Sequence, residues 1–284
     1  QNFENYILFI KALAAFLILR RAVTGRTGGI DNSFKEIFKP DKNLDFLGLT
    51  LDAENIDLPD INKVKQVLIN QLKNSSLSFN LADKDKWVNH VSKMPLYRDS
   101  KTISRFMILA AYDNSILDPN ANGLITNVNA APDISRNFLS YNSWKEDIYS
   151  TIEHIAPSTE RDNSDYNNVY DETYTKDTLG NLILIPKMLN VYLSNHSWLI
   201  KKNIYSAIAT SNTDKRKIFI EKARENGLSI NESKINELIL FEKTSEMLKG
   251  ISDFNDFNAT TIQKRSSRIC SLVWDKLINW IEPT

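Results

Sequence analysis

His154 is one of only three histidines in the chain, and it follows Glu153 in the stretch "STIEHIAP". An imidazole can take a proton from water near neutral pH, and a carboxylate beside it can hold a hard cation. Farther along, "LGNLILIPKMLN" supplies two amides, Asn181 and Asn190, and "SNHSWLIKK" supplies Lys201 and Lys202. One arrangement needs these parts in this order. The histidine removes a proton from water. The carboxylate and an amide oxygen hold a divalent cation, which stabilises charge on a phosphate and on the departing oxygen. By itself, a histidine near a strand end is more often packed or solvated than catalytic. The ordered Asn and Lys elements make the chemical reading worth testing.

The elements that must place these residues are readable. "STIEHI" carries β-branched residues at Thr151, Ile152 and Ile155 and reads as a short strand. "NLILIP" reads as a second strand. About 20 residues separate the two, long for a compact domain, and such loops are often functional. A helix holding Asn190, Asn195, Trp198, Lys201 and Lys202 follows. The order strand, long loop, strand, helix is a ββα unit. Neighbouring strand residues point to opposite faces, so Glu153 and His154 converge only if the strand ends or bulges there.

Elsewhere the pattern is helical. Helices are expected over residues 5–24, after Asp60 with Ile61, Val64, Val67, Leu68 and Leu72 on one face, over 87–91, over 105–112, and over 260–280. Asp31 could cap a short helix carrying Phe34, Ile37 and Phe38. Gly227 and Gly250 read as helix stops. Residues 118–132, "DPNANGLITNVNAAP", are rich in turn formers and read as a loop and linker. This sets a helical domain over 1–132 and a second domain over 133–284, with its ββα core at about 149–205.

Composition sets bounds. Apolar residues at 42% and charged residues at 25% are ordinary for a soluble globular chain. Net charge is zero, so any nucleic-acid site must be a local patch. The single cysteine, Cys270, excludes an intramolecular disulfide and a thiolate zinc site, and fits a reducing cytoplasm. The apolar run at 6–19 contains Lys11 and is short for a membrane span, so it reads as a buried helix and no membrane is expected. The chain begins at Gln1 rather than Met, as expected of a piece of a longer protein.

"YSTIEHIAP", "LGNLILIPKMLNVYLSN" and the following "KK" resemble the HNH (His-Me finger) nuclease domain at the C-terminus of GmrSD-type, modification-dependent restriction enzymes. The match spans residues 149–202, with weaker similarity in "ILRRAVTGRTGGIDNSFKEIF" and "QKRSSRICSLVW". The resemblance implies a mainly α-helical protein with an embedded ββα-metal hairpin unit that cuts DNA with Mg²⁺ or Mn²⁺. It implies His154 as general base, with Glu153 and Asn190 as metal ligands. Asn181 would brace the hairpin or the histidine loop, and Lys201 and Lys202 would approach phosphate. Ser158 stands where the family pattern has Gln, which touches a supporting contact and not the base. The resemblance also implies a role against foreign or modified DNA. A nucleotide-dependent sensor domain is expected as a partner, since its Asp-Gly-Gln-Gln-Arg signature is missing from this chain.

Other features have plain readings. The acidic loop at 158–178 is expected to be solvated, and it would repel DNA unless it moves or binds metal. Lys201, Lys202, Lys215, Arg216 and Lys217 lie in a basic run that suits a DNA track or a solvated helix face. His90 is expected to be structural or at the surface, as is His196, which also lies near enough in sequence to touch substrate. Tyr141, Trp144 and Trp198 are expected in the core. The rival reading is a helical module that binds DNA or a partner without cutting.

Overall fold

The computed structural model describes residues 2–25, 29–37, 60–75, 79–128, 137–160, 165–229, 237 and 245–283. Contacts divide the chain into two units, Gln1–Met94 with Val273–Thr284, and Pro95–Leu272. The domain boundary expected near 132 falls at residues outside the described ones, as does Phe38. Among the described residues the protein is mainly α-helical, with two small two-stranded sheets.

In the first unit, helices α1 (Asn2–Thr24), α3 (Ile61–Lys73), α4 (Lys84–Val91) and the end of the long α12 (Ala259–Ile281) supply the core, beside the short α2 (Ile30–Ile37). Asp60 caps α3 as expected, accepting from the backbone amides of Asn62 and Lys63. Val64, Val67, Leu68 and Leu72 are buried on one face. Asp31 lies within the first turn of α2 rather than capping it. Trp87 donates from its indole to Leu19 O at 2.8 Å, so a fully buried ring keeps its hydrogen bond. His90 is structural, with Nε2 3.1 Å from Val23 O.

The second unit carries the motif. Helix α5 (Leu96–Asp99) leads into α6 (Lys101–Tyr112), which begins before residue 105 because Ser100 caps it. Strands β1 (Ser115–Leu117) and β2 (Ile125–Asn127) form a hairpin. This corrects the reading of 118–132 as loop throughout. Turn formers at 118–124 close the hairpin, and "ITN" pairs back onto "SIL". After α7 (Tyr141–Lys145) come β3 (Thr151–His154) and β4 (Leu182–Ile185), paired antiparallel with Glu153 opposite Ile183 and His154 opposite Leu182. Helix α8 (Lys187–Leu193) follows directly.

The single helix expected over Asn190 to Lys202 is two helices. Ser194 takes a positive φ of 37°, which ends α8. Ser197 then caps α9 (Trp198–Ala209), and Asp165 accepts from the amides of Trp198 and Leu199 at 2.9 and 3.2 Å. One acid of the long loop thus serves a helix N-terminus, where negative charge is favoured. Helix α10 (Thr213–Glu225) ends at Gly227, whose φ of 100° suits glycine. A short α11 (Ser245–Leu248) precedes α12.

Helix α12 holds the hairpin from behind. Arg265, 3% exposed, donates to Gly180 O and Leu182 O, and its other arm reaches the Tyr112 hydroxyl. Gly180 lies so close to α12 that an added Cβ would fall 1.9 Å from Ile262 O. Its amide donates to Ser266 Oγ. The glycine of "LGN" is therefore a close-approach residue as well as a turn former.

Candidate active site

His154 ends β3, and its ring meets two groups. Nε2 lies 3.1 Å from Asp177 Oδ1, with both side chains largely buried. The Tyr97 ring stands edge-on to the imidazole, with centroids 4.3 Å apart. Directing the Nε2 proton at Asp177 leaves the lone pair on Nδ1. A histidine oriented by a carboxylate on one nitrogen can act as a base at the other. Asp177 sits in a 3₁₀ turn (Thr175–Asp177) at the end of the long loop. In the sequence it is one acid among many, and only its position just before "TLGN" distinguishes it.

Asn181 is fully buried and ties the two ends of that loop together. Its amide nitrogen donates to Ala156 O and Lys176 O, both at 2.8 Å, and its Oδ1 accepts from Ala156 N at 2.7 Å. Its backbone carbonyl accepts from Ile155 N. These bonds hold the chain on both sides of His154 and Asp177. With its side chain buried and bonded in this way, Asn181 is closed to solvent.

Glu153 lies on the opposite face of β3, 4% exposed, with Oε1 2.5 Å from Lys201 Nζ. Lys201 is fully buried and also donates to His154 O at 2.8 Å. Burial raises the Glu153 carboxyl above its ordinary range, opposed by the ammonium beside it. Burial lowers the Lys201 ammonium, opposed by the carboxylate. Lys201 is thus the counter-ion of Glu153, and its burial corrects the expectation that it reaches phosphate. Arg216 is likewise buried and donates to Ala207 O and Thr210 O, anchoring the turn between α9 and α10. Lys202 donates to Phe254 O, while Lys215 and Lys217 are exposed.

Asn190 on α8 directs its amide nitrogen at Ile152 O (3.3 Å) and Thr151 Oγ1 (3.4 Å), next to β3. The expected cation site between Glu153 and Asn190 fits these residues only in part. Asn190 has an amide oxygen to offer, but the Glu153 carboxylate is engaged by a lysine and faces away from His154. Among the described residues no group of three or more His, Cys, Asp or Glu side chains could hold a metal ion. The chemistry these side chains support on their own is proton transfer at His154.

Two further expectations change. Trp198 is buried as expected, Trp144 lies half-buried under Arg105, but Tyr141 is 74% exposed. In the acidic loop, Asp165 and Asp177 serve internal partners, whereas Asp171 and Glu172 are exposed as expected, and residues 161–164 lie outside the described ones. The His196 carbonyl accepts from the Tyr166 hydroxyl.

Residues 97–272 match the family model of the GmrSD restriction endonucleases, C-terminal domain. The chain belongs to this family. The matched span covers His154, Asp177, Asn181, Asn190 and Lys201 together. No curated protein matches the chain. The GmrSD membership supports a nuclease related to restriction, with DNA as the implied substrate. No helix among the described residues is long and apolar enough to cross a membrane.

Proposed function

We propose that the 95–272 unit is an HNH-type endonuclease that hydrolyses DNA phosphodiester bonds, with His154 as general base. The observation that carries this reading is the His154–Asp177 pair at 3.1 Å, on a strand–loop–strand–helix unit of a restriction-nuclease family domain. Asp177 fixes the imidazole, and Nδ1 takes the proton of the attacking water. Asn181 keeps both residues in place. Tyr97 covers one side of the ring and limits where water can approach. A ββα-metal finger is the architecture that the resemblance implies for this chemistry. Dependence on Mg²⁺ or Mn²⁺ belongs to this proposal and rests on the resemblance, as do action on foreign or modified DNA in the cytoplasm and a nucleotide-dependent partner domain.

A second reading has one observation in its favour. Glu153 is neutralised by Lys201, as in a scaffold that keeps the hairpin without a working cation site. Such a domain would bind DNA or a partner and leave it intact. Incubation with supercoiled plasmid decides between them. Cleavage by wild type in Mg²⁺, lost in EDTA and in His154→Ala, supports the nuclease. Intact plasmid with wild type under both conditions supports the binding module.

A further inference from the structure

Beside β3 lies a cavity of about 360 Å³, lined by residues including Tyr97, Lys101, Arg105, Trp144, Thr151 and Ile152. That volume is within the about 300–1,000 Å³ of ordinary ligand pockets. Lys101 and Arg105 are one helical turn apart on α6, so they share a face. Neither pairs with a carboxylate among the described residues, and like charges at this spacing oppose each other. The arrangement costs the free protein stability and suits an anion.

Both cations are held by rings. Lys101 Nζ lies 4.8 Å from the centre of the Tyr97 ring. The Arg105 guanidinium lies 4.4 Å over Trp144 and donates to Trp144 O at 2.6 Å. Its Nε is buried with no hydrogen-bond partner. A guanidinium that lines the cavity over a ring and makes no ion pair among the described residues is a fork suited to an oxyanion. The Tyr97 ring that carries Lys101 also meets His154, and Ile152 shares a face of β3 with His154. An anion in the cavity therefore sits one aromatic ring away from the base.

We propose that this cavity binds a phosphodiester of the DNA strand adjacent to the bond that is cut, with Lys101 and Arg105 as its cationic clamp. Tyr97 and Trp144 form the walls against which the attached sugar or base packs. Cations interleaved with aromatic rings are the usual means of holding a nucleic-acid strand independent of sequence. This inference rests on the reading of His154 as a nuclease base, and it assigns the strand position that the buried Lys201 does not supply.

The test measures binding apart from cleavage. Binding of a short labelled duplex DNA is followed by fluorescence anisotropy over a range of salt, using the full chain carrying His154→Ala so that nothing is cut. Adding Lys101→Ala, at an exposed position, should weaken binding and reduce the log–log salt slope by about 0.9, the loss of one phosphate contact. Arg105→Lys keeps the charge and loses the fork, so it should keep the salt slope while lowering affinity. In the cleaving protein, Lys101→Ala should raise KM more than it lowers kcat. Unchanged affinity and slope in Lys101→Ala would overturn the clamp even if wild type cleaves plasmid. A reduced slope together with intact plasmid would leave the clamp standing and overturn the nuclease.

Discussion

His154 Nε2 and Asp177 Oδ1 meet at 3.1 Å across the closed end of a long loop, although 22 positions of sequence lie between the two residues. The loop closes because Asn181 bonds to both of its ends. Asp177→Asn would keep the shape of the partner and remove its charge, and the amide could present a donor to Nε2. The expected result is a lower kcat with KM and Tm unchanged. The loss should be smaller than the about 10²–10⁴ expected when the base itself is removed in His154→Ala. An Asp177→Asn protein that cuts plasmid at the wild-type rate would reduce this contact to a structural one.

The Glu153–Lys201 pair predicts a pH-dependent defect. Lys201→Met leaves a buried carboxylate without its counter-ion, which costs about 3–5 kcal/mol for comparable pairs. The Glu153 carboxyl is already raised by burial, and loss of the ammonium removes what opposes that shift. A carboxyl raised in the folded state binds its proton more tightly there than when unfolded. Its contribution is complete below the ordinary value of 4.5 and is lost as pH rises through the folded value. The Tm deficit of Lys201→Met relative to wild type should therefore be small near that ordinary value and grow towards alkaline pH. A deficit that does not vary with pH would show that the carboxylate is not the group left exposed to the penalty. Replacing both residues, as Glu153→Leu with Lys201→Met, should recover most of the stability at neutral pH.

Some of this was legible in the sequence, and the reasons differ by residue. The two strands of the motif are readable because β-branched runs sit between turn formers, and α3 because its apolar residues recur on one face below an Asp cap. His154 stands out because it lies in a motif with several ordered parts. Asp177 does not, since a carboxylate in an acidic loop gives no sign of its partner. Lys201 misleads for a physical reason. A lysine in a basic run is usually solvated, and only the tertiary position of Glu153 shows that this one is buried. Tyr97, Lys101 and Arg105 recur every four residues, but nothing in the sequence ties them to Trp144 or to the strand that holds His154.

Gly180 predicts a packing defect rather than a chemical one. An alanine there would place its Cβ 1.9 Å from Ile262 O and 2.8 Å from Ser266 N, both backbone atoms of α12. Neither can rotate away, so the helix or the hairpin must move. Overpacking of this kind costs about 1–3 kcal/mol, and the shift would be felt at Asn181, the next residue. Gly180→Ala should lower both Tm and plasmid cleavage. Unchanged Tm and unchanged cleavage would mean that α12 crosses the "LGN" turn more loosely than these distances indicate.

Anything that binds only the folded protein raises its stability, by about 2.7 kcal/mol at a ligand concentration of 100 times Kd. Lys201 Nζ already occupies the Glu153 carboxylate, and Mg²⁺ would have to displace a bonded ammonium from a buried site. In the absence of DNA, Mg²⁺ and Mn²⁺ should therefore leave the Tm of wild type unchanged. If cutting nonetheless requires Mg²⁺, Asn190, whose amide nitrogen bonds beside β3, would have its Oδ1 to offer the ion. Asn190→Ala should then lower cleavage and regain part of it at higher Mg²⁺ or with Mn²⁺, whereas His154→Ala should regain none, because added metal does not replace a proton acceptor. A rise in Tm with Mg²⁺ that disappears in Glu153→Gln would place the ion on Glu153 and make Lys201 a displaceable stand-in for it.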